Sequence, residues 1–150
     1  MAIRQIREKG DEILSKVCKP VVNFDNKLAI LLDDMYDTMN DRGGVGLAAP
    51  QVGILKRVVV IDVGDGKIEL VNPEIIAAEG TQNGSEGCLS VPNVWGEVER
   101  PYKVTVRAQD RNGKEFTISG EELLARAFCH ECEHLDGKLF LERVTKFIED

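Results

Sequence analysis

Leu28, Leu31, Leu32, Met35 and Met39 recur at helical spacing behind Asn23-Phe24-Asp25, which offers a side-chain cap. This pattern predicts a helix over about residues 25–40. The segment that follows, DRGGVGLAAPQVG (41–53), is rich in glycine and small residues and predicts neither an ordinary helix nor a well-packed strand. The β-branched run RVVVIDV (57–63) predicts a strand, with Lys67 to Asn72 returning across Gly64-Asp65-Gly66 and a further strand after Pro73. Lys103 to Gln109 alternates Val104 and Val106 with polar neighbours, and Asp110-Arg111-Asn112-Gly113 signals a hairpin turn into Glu115–Ser119. Ser119-Gly120-Glu121-Glu122 fits a capping box. A second helix is therefore expected from near Glu121, through Leu123, Leu124, Ala127 and Phe128, to about Leu135, with Gly137 as its stop. Strands between a first and a last helix, without repeat or linker, predict an α+β fold in one domain over residues 1–150.

Composition narrows the function classes. A 150-residue chain that is 43% hydrophobic can build a core without disulfides. A net charge of −7 argues against direct nucleic-acid binding, which needs basic patches. No run reaches the length of a membrane span, and the charged N-terminus lacks the apolar core of a signal peptide. The expectation is a cytoplasmic protein with no membrane partner. In a reducing compartment, Cys18, Cys88, Cys129 and Cys132 are then thiols or metal ligands.

The second predicted helix carries the candidate chemistry. FCHECEHLDG (128–137) contains His130-Glu131-Cys132-Glu133-His134, an HExxH pattern holding both histidines of the chain. Residues four apart stack on one helix face, so two imidazoles can grip one metal ion while Glu131 reaches a water bound to it. Catalytic sites of this type use three protein ligands, and the third is not local. Phe140 stands where one metalloprotease pattern has a third histidine. Glu142 and Glu149 lie near the chain end, and Asp136 is too close to the helix terminus to turn back. At about 100° per residue, Cys132 falls opposite His130 and Cys129 points sideways, so both read as core thiols. Cys88, in the Gly-rich segment Glu86-Gly87-Cys88-Leu89-Ser90, can approach from a sheet edge and is the third ligand by elimination. These residues admit a catalytic hydrolase, a small metallopeptidase with the same chemistry, or a structural zinc module.

Three segments taken together resemble the motifs of the peptide deformylases: GVGLAAPQVG (44–53), EGCLS (86–90) and HECEHLDG (130–137), in matching order and spacing. The likeness continues through RAQDRNGKEF and so covers nearly the whole chain. It implies antiparallel sheets surrounding a central metal-binding HExxH helix, with an N-terminal helix packed outside. It implies hydrolysis of the formyl group from the N-terminal formyl-methionine of new polypeptides. Ferrous iron is the implied native metal, with zinc, nickel or cobalt as substitutes.

Carried over by position, Cys88, His130 and His134 are the ligands, Glu131 is the acid/base, and Gln51 and Leu89 stabilise the oxyanion. Val45, Gly46 and Gly87 are expected to lie along an extended substrate. Cys129, with Leu123 or Leu124, is expected in the pocket for the methionine side chain. The sequence departs from the family at Glu133, where Asp is common. Only sixteen residues follow His134, so the longer C-terminal helix by which some relatives dock on the ribosome is not expected.

Overall fold

A computed structural model describes residues 2–148. The first helix, α1, spans Asn26–Asp41, and the Asp25 side chain caps it by accepting from the Leu28 N–H at 3.1 Å. The strands are β1 (Gly46–Ala48), β2 (Val58–Ile61), β3 (Ile68–Glu79), β4 (Gln82–Cys88), β5 (Val91–Arg100), β6 (Lys103–Gln109), β7 (Glu115–Glu121) and β8 (Val144–Ile148). The second helix, α2, spans Leu123–Leu135. Two antiparallel sheets result, one in the order β1-β2-β3-β6-β7 and one in the order β4-β5-β8.

The four residues of β2 are all fully buried, because the larger sheet is covered on both faces. Val58 and Val60 face the cluster formed by Leu28, Leu31, Leu32, Met35 and Met39 of α1. Val59 and Ile61 face Ala125, Phe128, Cys129 and Leu135 of α2. Burying a side chain such as Phe128 contributes roughly 1.5–3 kcal/mol, so this face is what seats α2. The smaller sheet reaches α2 from its other side, where the Arg126 guanidinium donates to the Val98 carbonyl at 3.1 Å.

The C-terminus of α2 is fixed by its own turn and by Arg57. At the C-terminus, Gly137 adopts φ 77°, its N–H donates to His134 O at 3.1 Å, and the Lys138 N–H donates to Glu133 O at 3.0 Å. These two bonds form a Schellman motif. Arg57 of the β2 approach adds a charged cap, donating to Leu135 O at 3.1 Å and to Asp136 Oδ1 at 3.0 Å.

Several expectations need correction. Ser119 does not cap α2. It lies inside β7, with its hydroxyl 2.8 Å from Thr105 Oγ1, and the helix starts after Glu122, whose side chain makes no capping bond. The sheet ladder claims Ser119 before the helix can. Residues 46–48 of the Gly-rich segment form a short buried strand, followed by a 3-10 turn over Ala49–Val52. No second strand begins after Pro73, since β3 runs through it with register shifts that absorb the proline. Strands β4, β5 and β8 had no assignment from pattern. Glu142 lies in a 3-10 turn over Phe140–Arg143, and Glu149 lies outside the described residues.

Candidate functional site

Leu123, Ala127, His130, Glu131 and His134 repeat at three- and four-residue intervals and mark one stripe of α2. The first four of these border a cavity of about 500 Å³. Its other walls come from Gly44, Val45 and Gly46, from Gly87, Cys88 and Leu89, and from the Val91–Trp95 stretch of β5. The strands β1 and β4 are edge strands of their respective sheets, and both border this cavity.

Cys88, His130 and His134 offer one ligand atom each, all within 4.8 Å of one another. The Cys88 thiol lies 3.3 Å from His134 Nε2. His130 Nδ1 lies 2.6 Å from Glu86 Oε1, which leaves Nε2 on the opposite side of the ring, toward Glu131. Deep in the protein, the Glu131 Oε1 and His134 Nδ1 atoms have no hydrogen-bond partner among the described residues. One thiolate and two imidazoles held this close suit a borderline divalent ion, and the carboxylate at the ring edge of His130 suits the water such an ion carries. Structural zinc sites close with four protein ligands, whereas three converge here among the described residues.

The charges are set by burial and by neighbours. Burial pushes Glu131 up to about 7, against the opposing pull of His130. Burial also lowers His134, and the neighbouring His130 charge adds to it, so that ring is held neutral well below its ordinary range. For His130, burial works downward, but Glu131, Cys88 and Glu86 outweigh it and raise its pKa. Glu86 is buried too, yet the bonds from His130 and Arg100 hold it well below the usual carboxylate range.

Gln51 is oriented rather than free. Its Oε1 accepts the Ala48 N–H at 2.9 Å, so its Nε2 points the other way, donating to Ser90 Oγ at 3.1 Å and facing the Cys88 sulfur at 3.6 Å. Two glycines are required by close approach. A Cβ at Gly46 would lie 2.5 Å from Glu131 Oε2, and one at Gly87 would lie 2.8 Å from the Trp95 ring. Val45 is half-exposed on the cavity rim, and Leu89 packs its side chain against Gly44. Of the residues expected to touch substrate, Cys129 is misplaced. It packs in the core against the larger sheet, its thiol pKa raised by burial, and it does not line the cavity. One residue at about 100° from His130 is enough to turn it inward. Leu124 likewise packs on Gly120, while Leu123 does border the cavity.

Residues without a role assigned from sequence complete the surroundings. Glu86 accepts from Arg100 Nε and Nη2 at 3.1 and 2.7 Å and from Arg126 Nη1 at 2.7 Å. The need of a ligating histidine for a carboxylate on its other nitrogen could have singled out Glu86. Arg100, Arg126 and Trp95 carried no such signal.

The polypeptide deformylase family model matches residues 3–149. The chain is 63% identical to a peptide deformylase of Caldicellulosiruptor bescii, over all of this chain and 90% of that one. It is 60% identical to one from Acetivibrio thermocellus, over all of this chain and 88% of the relative. Among solved structures, the peptide deformylase of Legionella pneumophila superposes with a TM-score of 0.92 at 49% identity, covering 95% of this chain and 86% of that one. That of Thermotoga maritima gives 0.93 at 42% identity, covering 95% and 98%. Sequence likeness of this extent, with a matching backbone, makes the chain a member of the peptide deformylase family, the hydrolases that remove the formyl group from the N-terminus of newly made polypeptides.

Proposed function

We propose that residues 1–150 act as one catalytic domain in which Cys88, His130 and His134 hold a single divalent ion and Glu131 moves the proton of formyl hydrolysis. The observation that carries this reading is the convergence of the three donors within 4.8 Å beside a buried carboxylate whose pKa lies near neutrality. A thiolate with two imidazoles accepts iron, zinc, nickel or cobalt, and the family likeness supports ferrous iron as the native occupant. A divalent ion held there supplies Lewis acidity, lowering the pKa of a water toward ~7 in the best zinc cases.

Glu131 takes a proton from the attacking water and passes it to the departing amine, and a pKa near the working pH suits both transfers. The Gln51 amide, locked with its Nε2 toward Cys88, and the Leu89 backbone N–H donate to the oxygen that gains negative charge. Losing one such donor costs about 10²–10³ in rate. The N-formyl-methionyl chain lies extended between the free edges of β1 and β4, where Gly46 and Gly87 let its backbone approach. Its side chain faces Val45, Leu123 and Ala127. This work belongs in the cytoplasm, where nascent chains emerge.

The test is Glu131→Gln, which keeps size and removes the proton acceptor. Metal content and melting temperature should stay near wild type while deformylation of a formyl-Met peptide falls by about 10²–10⁴. Cleavage of an unformylated peptide by wild type would favour the metallopeptidase reading. Near-normal deformylation by the metal-loaded variant would end the role given to Glu131.

A further inference from the structure

Glu133 stands on α2 between His130 and His134 in sequence, and its carboxylate reaches two arginines. One oxygen accepts from Arg100 Nη1 at 2.6 Å, and the other accepts from the Arg143 guanidinium. Arg100 stands on β5, and Arg143 ends the turn Phe140–Arg143 beyond the helix. A single side chain on the outer flank of α2 thus ties together a strand of the smaller sheet and the start of the C-terminal segment.

The same Arg100 grips Glu86 with two nitrogens, and Glu86 grips His130 Nδ1. Arg100 and Glu86 side chains are 3% and 5% exposed, and Glu133 is 15% exposed, so the bonds between them run through low-dielectric surroundings. The turn meets the site a second time. Phe140, 1% exposed, stacks on the His130 ring with centroids 5.8 Å apart and planes at 29°.

We propose that Glu133 and Arg143 are positioning residues for the metal site, holding His130 through Arg100 and Glu86 while seating the Phe140 ring against it. The inference rests on the ligand set given above. Arg143 is about half exposed, so its charge is largely screened and its direct field at His130 is small. Its action is geometric. It fixes the Glu133 carboxylate in the one orientation that also serves Arg100, and it anchors the turn that carries Phe140. An Asp carboxylate, one methylene shorter, would leave at least one of the two arginines out of reach.

The experiment measures how fast zinc-loaded protein yields its metal to an excess of chelator, in Arg143→Leu, Arg143→Lys, Glu133→Asp and the double variant Glu133→Asp/Arg143→Leu. Outer partners of metal-bound histidines typically matter about 10–100-fold. Lying further out, each of Arg143→Leu and Glu133→Asp should speed release about 3–10-fold. Arg143→Lys should restore most of the lifetime. The double variant should release no faster than the worse single one, because both break the same tie. The kcat of variants assayed fully loaded should fall less than their metal lifetime. Unchanged release in both single variants overturns the proposal, as does an additive double variant. Arg143→Leu alters a half-exposed side chain and so keeps the test open if Glu133→Asp folds poorly. Should wild-type protein hold no zinc, the ligand assignment itself fails, an outcome distinct from unequal release among loaded variants.

Discussion

Gly46→Ala tests whether the position of Glu131, and not merely its presence, sets the rate. The new Cβ would stand 2.5 Å from Glu131 Oε2 and 3.0 Å from its Cδ and Cγ. Ordinary carbon–oxygen contact begins near 3.4 Å, so the carboxylate must retreat by about 1 Å. A misplacement of about 1 Å can cost about 10²-fold, or roughly 2.7 kcal/mol of barrier. The three atoms nearest that Cβ all belong to Glu131. Gly46 is not in the left-handed region, and replacing glycine in an extended segment tends to stabilise by about 0.4–1 kcal/mol through the unfolded chain. The three proposed ligands are not in the contact. The expected signature is therefore dissociated: kcat down about 10–100-fold, with metal content at wild-type level and melting temperature unchanged or slightly raised. Steady-state kinetics on a formyl-Met peptide, metal analysis and thermal melting decide it together. A variant that turns over within threefold of wild type while its structure shows Glu131 displaced would refute the reasoning, because geometry would then not be limiting.

Each thiol can be replaced by serine in turn. Cys88→Ser should lose most metal or activity, whereas Cys18→Ser, Cys129→Ser and Cys132→Ser should bind one equivalent when folded. Burial pushes the Cys18 and Cys132 thiols up to about 11 and about 12, so neither offers a thiolate at neutral pH. The buried hydroxyls should cost about 1–3 kcal/mol in chemical denaturation, and a helix cysteine indispensable for metal in a folded variant would reverse the assignment. Acid should act through Glu86. Its folded pKa is depressed, so its contribution is complete above the unfolded value of about 4.3 and is lost as pH falls toward the folded value. Metal-free wild type should thus lose stability steeply below about pH 4, and Glu86→Gln should be less stable at neutral pH with a flatter acid slope. Parallel pH–stability curves for the two would exclude that role.

The two helices, the β6–β7 hairpin and the three-point donor set were legible because each depends on local pattern or on side chains with few uses. Helical spacing announces α1, and two histidines four apart on α2 demand a third donor. The β4–β5 hairpin was not legible, since Gln82-Asn83-Gly84-Ser85-Glu86-Gly87 shows no apolar alternation. Its pairing with β5 is backbone work along an edge strand. The false cap at Ser119 shows a local signal losing to a ladder that pairs Ser119 with Thr105. Helix phase made Cys129 a core thiol, which its packing bears out, whereas its neighbourhood to His130 suggested the pocket, which it does not line. Arg100 and Arg126 look like surface charges in sequence, and only the fold reveals that both are buried around one carboxylate.

The double-sided burial of β2 has a consequence for the making of the protein. Val58 and Val60 find their cover in α1, which precedes them, but Val59 and Ile61 wait for α2, about 70 residues later in the chain. At about 5–20 residues per second, that face of a purely β-branched run stays uncovered for roughly 3–15 s of synthesis. Such a run is the kind of segment that pairs with its like in other chains. Arg57 and Asp62 stand immediately before and after it. In the finished fold Arg57 caps α2, and Asp62 accepts the Tyr36 hydroxyl at 2.7 Å. Until α2 is made, Arg57 lacks its helix cap, and with Asp62 it flanks the run as a gatekeeper, keeping a growing chain from sticking to its neighbours.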